Sequence, residues 1–263
     1  MLVERIWMGN SLRNYNYLVA CPETGEALAI DPWDSEKTLS TAKAKGWQIT
    51  QILNTHEHHD HIGGNAAVVA ATGAKVIAHH QAGGKIERMD RGVQAGDVIK
   101  VGKTVELECL DTPGHTFCHI CLLAHTDQPA LFSGDTLFNA GAGNVHNGGS
   151  VDAMFGTFAN QLEKLPADTR IYPGHDYIEN NLKFTLSREP GNTAAQALLP
   201  SVTDHDPATS VVTTLAQERE FNTFFRLGNQ SLIAKLREAF PGLGDTPDAK
   251  TVFTKLRELR NKW

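Results

Sequence analysis

Six consecutive residues, His56-Glu57-His58-His59-Asp60-His61, hold four imidazoles and two carboxylates, directly after an apolar run from Ile49 to Leu53. A packed core has no use for so much imidazole in so short a space, and neither does a solvated turn. One or two transition metal ions do. Any fold open to this chain must therefore close around that turn and bring further ligands to it. Three later segments offer them, each a strand-like run ending in glycine and a ligand-type side chain: Pro113-Gly114-His115, Ser133-Gly134-Asp135 and Pro173-Gly174-His175.

In an extended segment His56 and His58 project to the same side and can share one ion. The chain must turn before Gly63-Gly64, which sets Asp60 and His61 apart and suits them to a second ion. His115, Asp135 and His175 complete the set, with Asp135 the natural bridge and Asp60 and Asp135 the candidate catalytic carboxylates. Five imidazoles and two carboxylates, with no thiolate, suit two divalent ions of zinc, iron or manganese. Two such ions, two aspartates and a bridging hydroxide leave a charge of about +1, and bound water reaches a pKa of about 7. Hydroxide attacking a carbonyl, with the residual charge stabilising the oxyanion, describes a hydrolase. His59 reads as a solvated or hydrogen-bonding neighbour and Glu57 as exposed. His119, four residues after His115, is placed to orient a ligand through a hydrogen bond.

The first two thirds read as short strands broken by turns. Strands are expected at 15–20, 27–31, 48–54, 75–79, 97–101, 104–111, 117–124, 130–133 and 170–172, with a further strand-like start at residues 1–10. Helices are expected at 35–45, with Ser35 as N-cap and Gly46 as stop, at 65–72 and at 151–165. Hairpins mixed with helical crossovers imply a layered α/β architecture. After Tyr177 the strand patterns stop, and helices are expected at 177–188, 194–199, 211–225, 231–240 and 249–262. A boundary near residue 176 would divide a catalytic unit, 1–176, from a helical unit, 177–263.

Net charge is −6, which speaks against nucleic acid as the main partner. No apolar run approaches a membrane span and no apolar leader is evident, so a cytoplasmic monomer is expected. The four cysteines fit a reducing compartment. Cys118 and Cys121 have CxxC spacing, but on a strand that spacing puts the thiols on opposite faces.

His56-x-His58-x-Asp60-His61 resembles the signature of the metallo-β-lactamase superfamily. Thr112–Thr116, Phe132–Phe138, Tyr172–Tyr177, Asn180–Phe184 and Glu189-Pro190-Gly191-Asn192 are similar to the hydroxyacylglutathione hydrolase (glyoxalase II) family, and the resemblance extends over essentially the whole chain. It implies an αββα sandwich followed by a smaller all-helical, thiol-binding domain. It also implies His56, His58 and His115 on one ion, Asp60, His61 and His175 on the other, and Asp135 bridging. The implied reaction is hydrolysis of S-D-lactoylglutathione to glutathione and D-lactate by a metal-bridging hydroxide. The family holds glutathione with a tyrosine after the last histidine, matched by Tyr177, and with a C-terminal R-x-x-K, matched by Arg257 and Arg260. Where the family often has Lys and Tyr, this chain has Asn144 and His146. One alternative is a mononuclear iron persulfide dioxygenase using His56, His115 and Asp135, a family that usually lacks a long helical tail. Another is a non-catalytic thiol- or metal-binding module.

Overall fold

The computed structural model describes all 263 residues. A first sheet is built from β1 (Leu2–Trp7), β2 (Tyr15–Ala20), β3 (Glu26–Ile30), β4 (Gln48–Leu53), β5 (Lys75–His79) and β6 (Met89–Val93), in that spatial order. Strands β1 to β3 pair antiparallel, and β3 to β6 pair parallel. Parallel neighbours need crossovers, and α1 (Ser35–Lys45), then α2 (His59–Ile62) and α3 (Asn65–Thr72), carry the chain back between β3, β4 and β5.

The second sheet contains β7 (Val98–Val101), β8 (Val105–Asp111), β9 (Ile120–Ala124) and β10 (Ala130–Gly134). A two-strand ribbon of β11 (Leu137–Phe138) and β12 (Gly141–Ala142) follows, then α4 (Val151–Asn160), and β13 (Arg170–Pro173) returns parallel to β10. The chain ends in α5 (Ile178–Arg188), α6 (Thr193–Val202), α7 (Leu215–Phe221), α8 (Gln230–Ala239) and α9 (Ala249–Arg260).

Side-chain alternation sorts the apolar residues into layers. Tyr15, Tyr17 and Val19 of β2 meet Ile120 and Leu122 of β9 between the sheets. Leu18 and Ile52 face outward under α1 and α3. Cys121, Leu123 and Leu131 face the other way, toward Phe158 of α4 and toward Phe224, Leu232 and Phe253 of the C-terminal region. The helical tail thus shares one continuous core with the second sheet and, with α4, forms its outer helical layer. Strands covered on both faces read as unbroken apolar runs. Burying a side chain such as Phe132 contributes about 1.5–3 kcal/mol. No helix is long and apolar enough to cross a membrane.

Several elements differ from the sequence expectation for identifiable reasons. Asp34, not Ser35, caps α1 by accepting from the Lys37 N–H at 3.0 Å. The helix expected over 151–165 stops at Asn160, and a 3-10 turn takes over at Leu162–Lys164. The helix expected over 211–225 begins only at Leu215, where Thr214 and Gln217 form a capping box. The strand expected over 117–124 begins at Ile120, which leaves Cys118 in a turn. Cys118 and Cys121 belong to different apolar layers, and all four cysteines are free.

Candidate metal centre

The sheets end where the ligand-type residues cluster. His56 and His58 leave β4 in extended backbone, and α2 starts at once, so Asp60 and His61 sit on its first turn. His115 follows β8 in a loop. Asp135 follows β10 and His175 follows β13, on adjacent parallel strands. The glycines are required by geometry. Gly134 has φ +47°, and a Cβ on Gly174 would lie 2.3 Å from Asp135 Oδ1 and 3.0 Å from His61 Cε1.

All seven expected residues meet. His58 Nδ1 lies 3.0 Å from His56 Nε2 and 2.9 Å from His115 Nε2. His61 Nε2 and His175 Nε2 are 3.3 Å apart. Between these groups lies Asp135, with Oδ2 3.1 Å from His175 Nε2 and 3.5 Å from His115 Nε2, and Oδ1 3.5 Å from His61 Nε2. Asp60 Oδ2 is 3.5 Å from both His61 and His175.

The far side of each ring decides what the near side offers. His61 Nδ1 donates to Asp31 Oδ2 at 2.9 Å, His115 Nδ1 to the Asn144 carbonyl at 2.7 Å, and His175 Nδ1 to the Leu12 carbonyl at 2.7 Å. His58 Nε2 donates to the Asn147 carbonyl at 3.1 Å. Thr55 Oγ1 gives its proton to Asp31, so it accepts from His56 Nδ1 at 3.0 Å. These tautomers follow from the hydrogen-bond network. They turn five imidazole nitrogens toward one another at about 3 Å, and Asp135 Oδ1 is buried with no hydrogen-bond partner. That arrangement is repulsive unless cations, protons or metal, sit among the nitrogens, and five imidazoles with two carboxylates fit divalent metal, with outer partners holding each ring in the usual way.

Electrostatics agree. Burial works against charge on His61, but Asp135, Asp31 and Asp60 outweigh it and raise the imidazole to about 9. Burial would likewise raise Asp135, yet His175 and His61 hold its carboxyl well below the usual range. Burial pushes His56 and His119 well below the ordinary imidazole value. Asp60 and Asp135 stay ionised in a buried cluster in which His56 and His115 resist protonation, so the centre offers the negative charge and the neutral nitrogens a cation needs.

Three supporting groups carry no sequence signal of their own. Asp31 ends β3 in the left-handed region at φ 52° and accepts from Thr55 N, Thr55 Oγ1 and His61 Nδ1. Asn14 Nδ2 donates to Asp60 Oδ2 at 2.9 Å. Leu12 supplies its carbonyl from the same N-terminal loop. Asp31→Asn keeps a residue that tolerates this backbone but removes one acceptor. We expect metal affinity to fall about 10–100-fold, measured by competition with a chromophoric chelator. Affinity within twofold of the parent would show that Asp31 does not orient His61.

The remaining expectations divide. His119 is buried, and its Nε2 accepts the Asp135 backbone N–H at 3.1 Å. His59 is exposed. Glu57, expected to be exposed, is partly buried and tucked against Lys85 and Thr116. Tyr177 stacks on His175 with centroids 5.0 Å apart and donates its hydroxyl to the Leu12 carbonyl. Asn144 and His146 are exposed in the loop beside His115. Arg260 is half-buried and holds Asn181 Oδ1 at 3.0 Å. Arg257, expected to grip a glutathione carboxylate, is held by backbone carbonyls. It is 4% exposed, and its Nη1 donates to the carbonyls of Ala142 at 2.7 Å and Gly143 at 2.9 Å.

Comparison with known proteins adds an independent line. Residues 15–175 match the model of the metallo-beta-lactamase superfamily, and residues 176–263 match that of the hydroxyacylglutathione hydrolase C-terminus. A hydroxyacylglutathione hydrolase of Polaromonas sp. is 78% identical over 263 residues, covering 100% of both chains. Its namesake in Nitrosococcus oceani is 63% identical, again over 100% of both. Among solved structures, ETHE1 from Myxococcus xanthus superposes with TM-score 0.68 at 23% identity, covering 98% of this chain and 99% of that one, a likeness of fold alone.

Proposed function

Because the chain belongs to the metallo-β-lactamase superfamily and, within it, to the hydroxyacylglutathione hydrolases, we propose that it hydrolyses glutathione thioesters, S-D-lactoylglutathione foremost, to glutathione and the 2-hydroxy acid. The C–S bond breaks, a hydroxyl joins the acyl carbon, and the sulfur leaves and takes a proton. The observation that carries this reading is the convergence of seven imidazole and carboxylate groups with five ring nitrogens turned inward.

We assign His56, His58 and His115 to one divalent ion, Asp60, His61 and His175 to a second, and Asp135 to both. The three-residue groupings His56-His58-His115 and Asp60-His61-His175 support this partition, and the third, His56-His61-Asp135, runs across it, as a shared Asp135 would. Zinc, iron and manganese all suit the donor set. Divalent ions at this centre supply hydroxide at neutral pH and Lewis acidity toward a carbonyl oxygen. The chain's own part is to fix the orientation and tautomer of each ring through the outer acceptors, so that its inward nitrogen can meet a metal, and to hold Asp135 ionised. Residues 1–176 form the catalytic unit in this reading, and 177–263 bring Tyr177 and Arg260 to the thiol. Asn144 and His146, exposed in the loop beside His115, are also assigned to the thiol. The helical tail, matched over its whole length by the hydrolase-specific model, favours this reading over a dioxygenase.

The test is turnover by metal-replete protein on a small thioester panel, varying acyl group and thiol separately. Glutathione thioesters of 2-hydroxy acids are expected to be cleaved fastest. S-D-lactoylglutathione left intact would sink the proposal.

A further inference from the structure

The segment 139–144 runs between the metal centre and the C-terminal helices, and side chains of those helices hold its backbone at almost every residue. Asn181 of α5 donates to the Asn139 carbonyl at 2.9 Å. Glu218 of α7 accepts the Ala140 N–H at 2.9 Å, and Asn222 donates to the Gly141 carbonyl at 3.1 Å. Arg257 of α9 holds the carbonyls of Ala142 and Gly143. Glu218 is fully buried, and Thr213 and Asn222 fix its carboxylate from the other side at 2.6 and 2.9 Å.

The other face of the segment touches the centre. Gly143 lies so close behind Asp135 that a Cβ there would sit 1.8 Å from the Asp135 carbonyl oxygen, and its N–H donates to the Thr136 carbonyl. One residue on, the Asn144 carbonyl takes the proton of His115 Nδ1 at 2.7 Å. Ala140 has φ 60°, a left-handed conformation unusual for a residue with a Cβ, so the strap needs outside support to keep its shape.

We infer that residues 139–144 are a strap through which the helical unit sets the geometry of the metal centre, with Glu218 and Arg257 as positioning residues for Asp135 and His115. The helical unit then has a second role besides meeting the thiol. Arg257 acts on the metals through the backbone rather than on substrate. The inference rests on the assignment of His115 and Asp135 as metal ligands, and not on the identity of the substrate.

The test reads zinc affinity of the full-length protein without any thioester present. Glu218→Ala removes the acceptor at the Ala140 N–H, whereas Glu218→Gln keeps a carbonyl oxygen for it. We expect Glu218→Ala to weaken zinc binding about 10–100-fold, as loss of an outer-shell partner does. Glu218→Gln should stay within about threefold of the parent by the same measure of outer-shell loss. Amide exchange at Gly141 and Gly143 should accelerate in the alanine variant alone. In turnover, kcat should fall with KM nearly unchanged. Folded Glu218→Ala with parental zinc affinity overturns the inference, as does equal loss in both variants. If Glu218→Ala fails to fold, Asn222→Ala is read in the same way: several-fold weaker zinc binding supports the strap, and unchanged binding overturns it. Because no thioester enters the affinity measurement, failure of the proposed hydrolysis would leave this result standing.

Discussion

Asp135→Ala should lose at least about 10³-fold in kcat/KM for S-D-lactoylglutathione. The reason is electrostatic. Asp135 is the one side chain within 3.5 Å of His61, His115 and His175 together, so it joins both halves of the cluster. Its Oδ1 has no partner within the protein, and His175 and His61 keep the carboxyl ionised despite burial. In the proposed assignment, removing it takes a negative charge from between the two ions and leaves five imidazoles and Asp60 to hold both. Metal ions contribute several kcal/mol of transition-state stabilisation, and each tenfold in rate corresponds to about 1.4 kcal/mol. Disordering both ions therefore reaches a thousandfold or more. The measurement is steady-state turnover with metal content determined on the same sample. Full activity, or parental metal content with parental rate, would show that Asp135 is not the shared ligand.

Stripping the metal should have an effect as large on activity and a second effect on stability. Dialysis against a strong chelator is expected to reduce turnover to the uncatalysed background, and added zinc, iron(II) or manganese(II) should restore it. The stripped protein keeps its inward ring nitrogens crowded together and Asp135 Oδ1 without a partner. Loading relieves both. At free metal about 1,000 times its dissociation constant the folded state gains about 4 kcal/mol by mass action, so the melting temperature should rise with metal concentration. Chelation that leaves both rate and melting temperature unchanged would rule out a metal-dependent hydrolase.

Much of the centre was legible from the chain because metal chemistry restricts residue types severely. Few arrangements explain His56, His58, Asp60 and His61 together, and glycine before His115, Asp135 and His175 marks strand ends where backbones crowd. The two-sheet architecture was legible for a related reason. Strands such as β2, β9 and β10 are covered on both faces and stand out as apolar runs. Strand β6 was not legible, since its middle residues Asp90, Arg91 and Gly92 are exposed at a sheet edge and show no apolar alternation. Helix ends were blurred where a cap decides them, as at Asp34 and Thr214.

What the chain determined by itself was which imidazoles and carboxylates cluster, because they are scarce, specific groups and the spacing of the first four along one strand and turn already points them together. Only the tertiary structure decided what surrounds them. Asp31, Asn14 and the carbonyls of Leu12 and Asn144 act through backbone placement or a single hydrogen bond, and a carbonyl has no letter in the sequence. The same holds for Arg257. Its charge and spacing suit a carboxylate clamp, and only the fold shows that it is buried against the Ala142 and Gly143 carbonyls. A side chain's role is fixed by the partners that folding leaves within hydrogen-bond reach, and those partners come from distant parts of the chain.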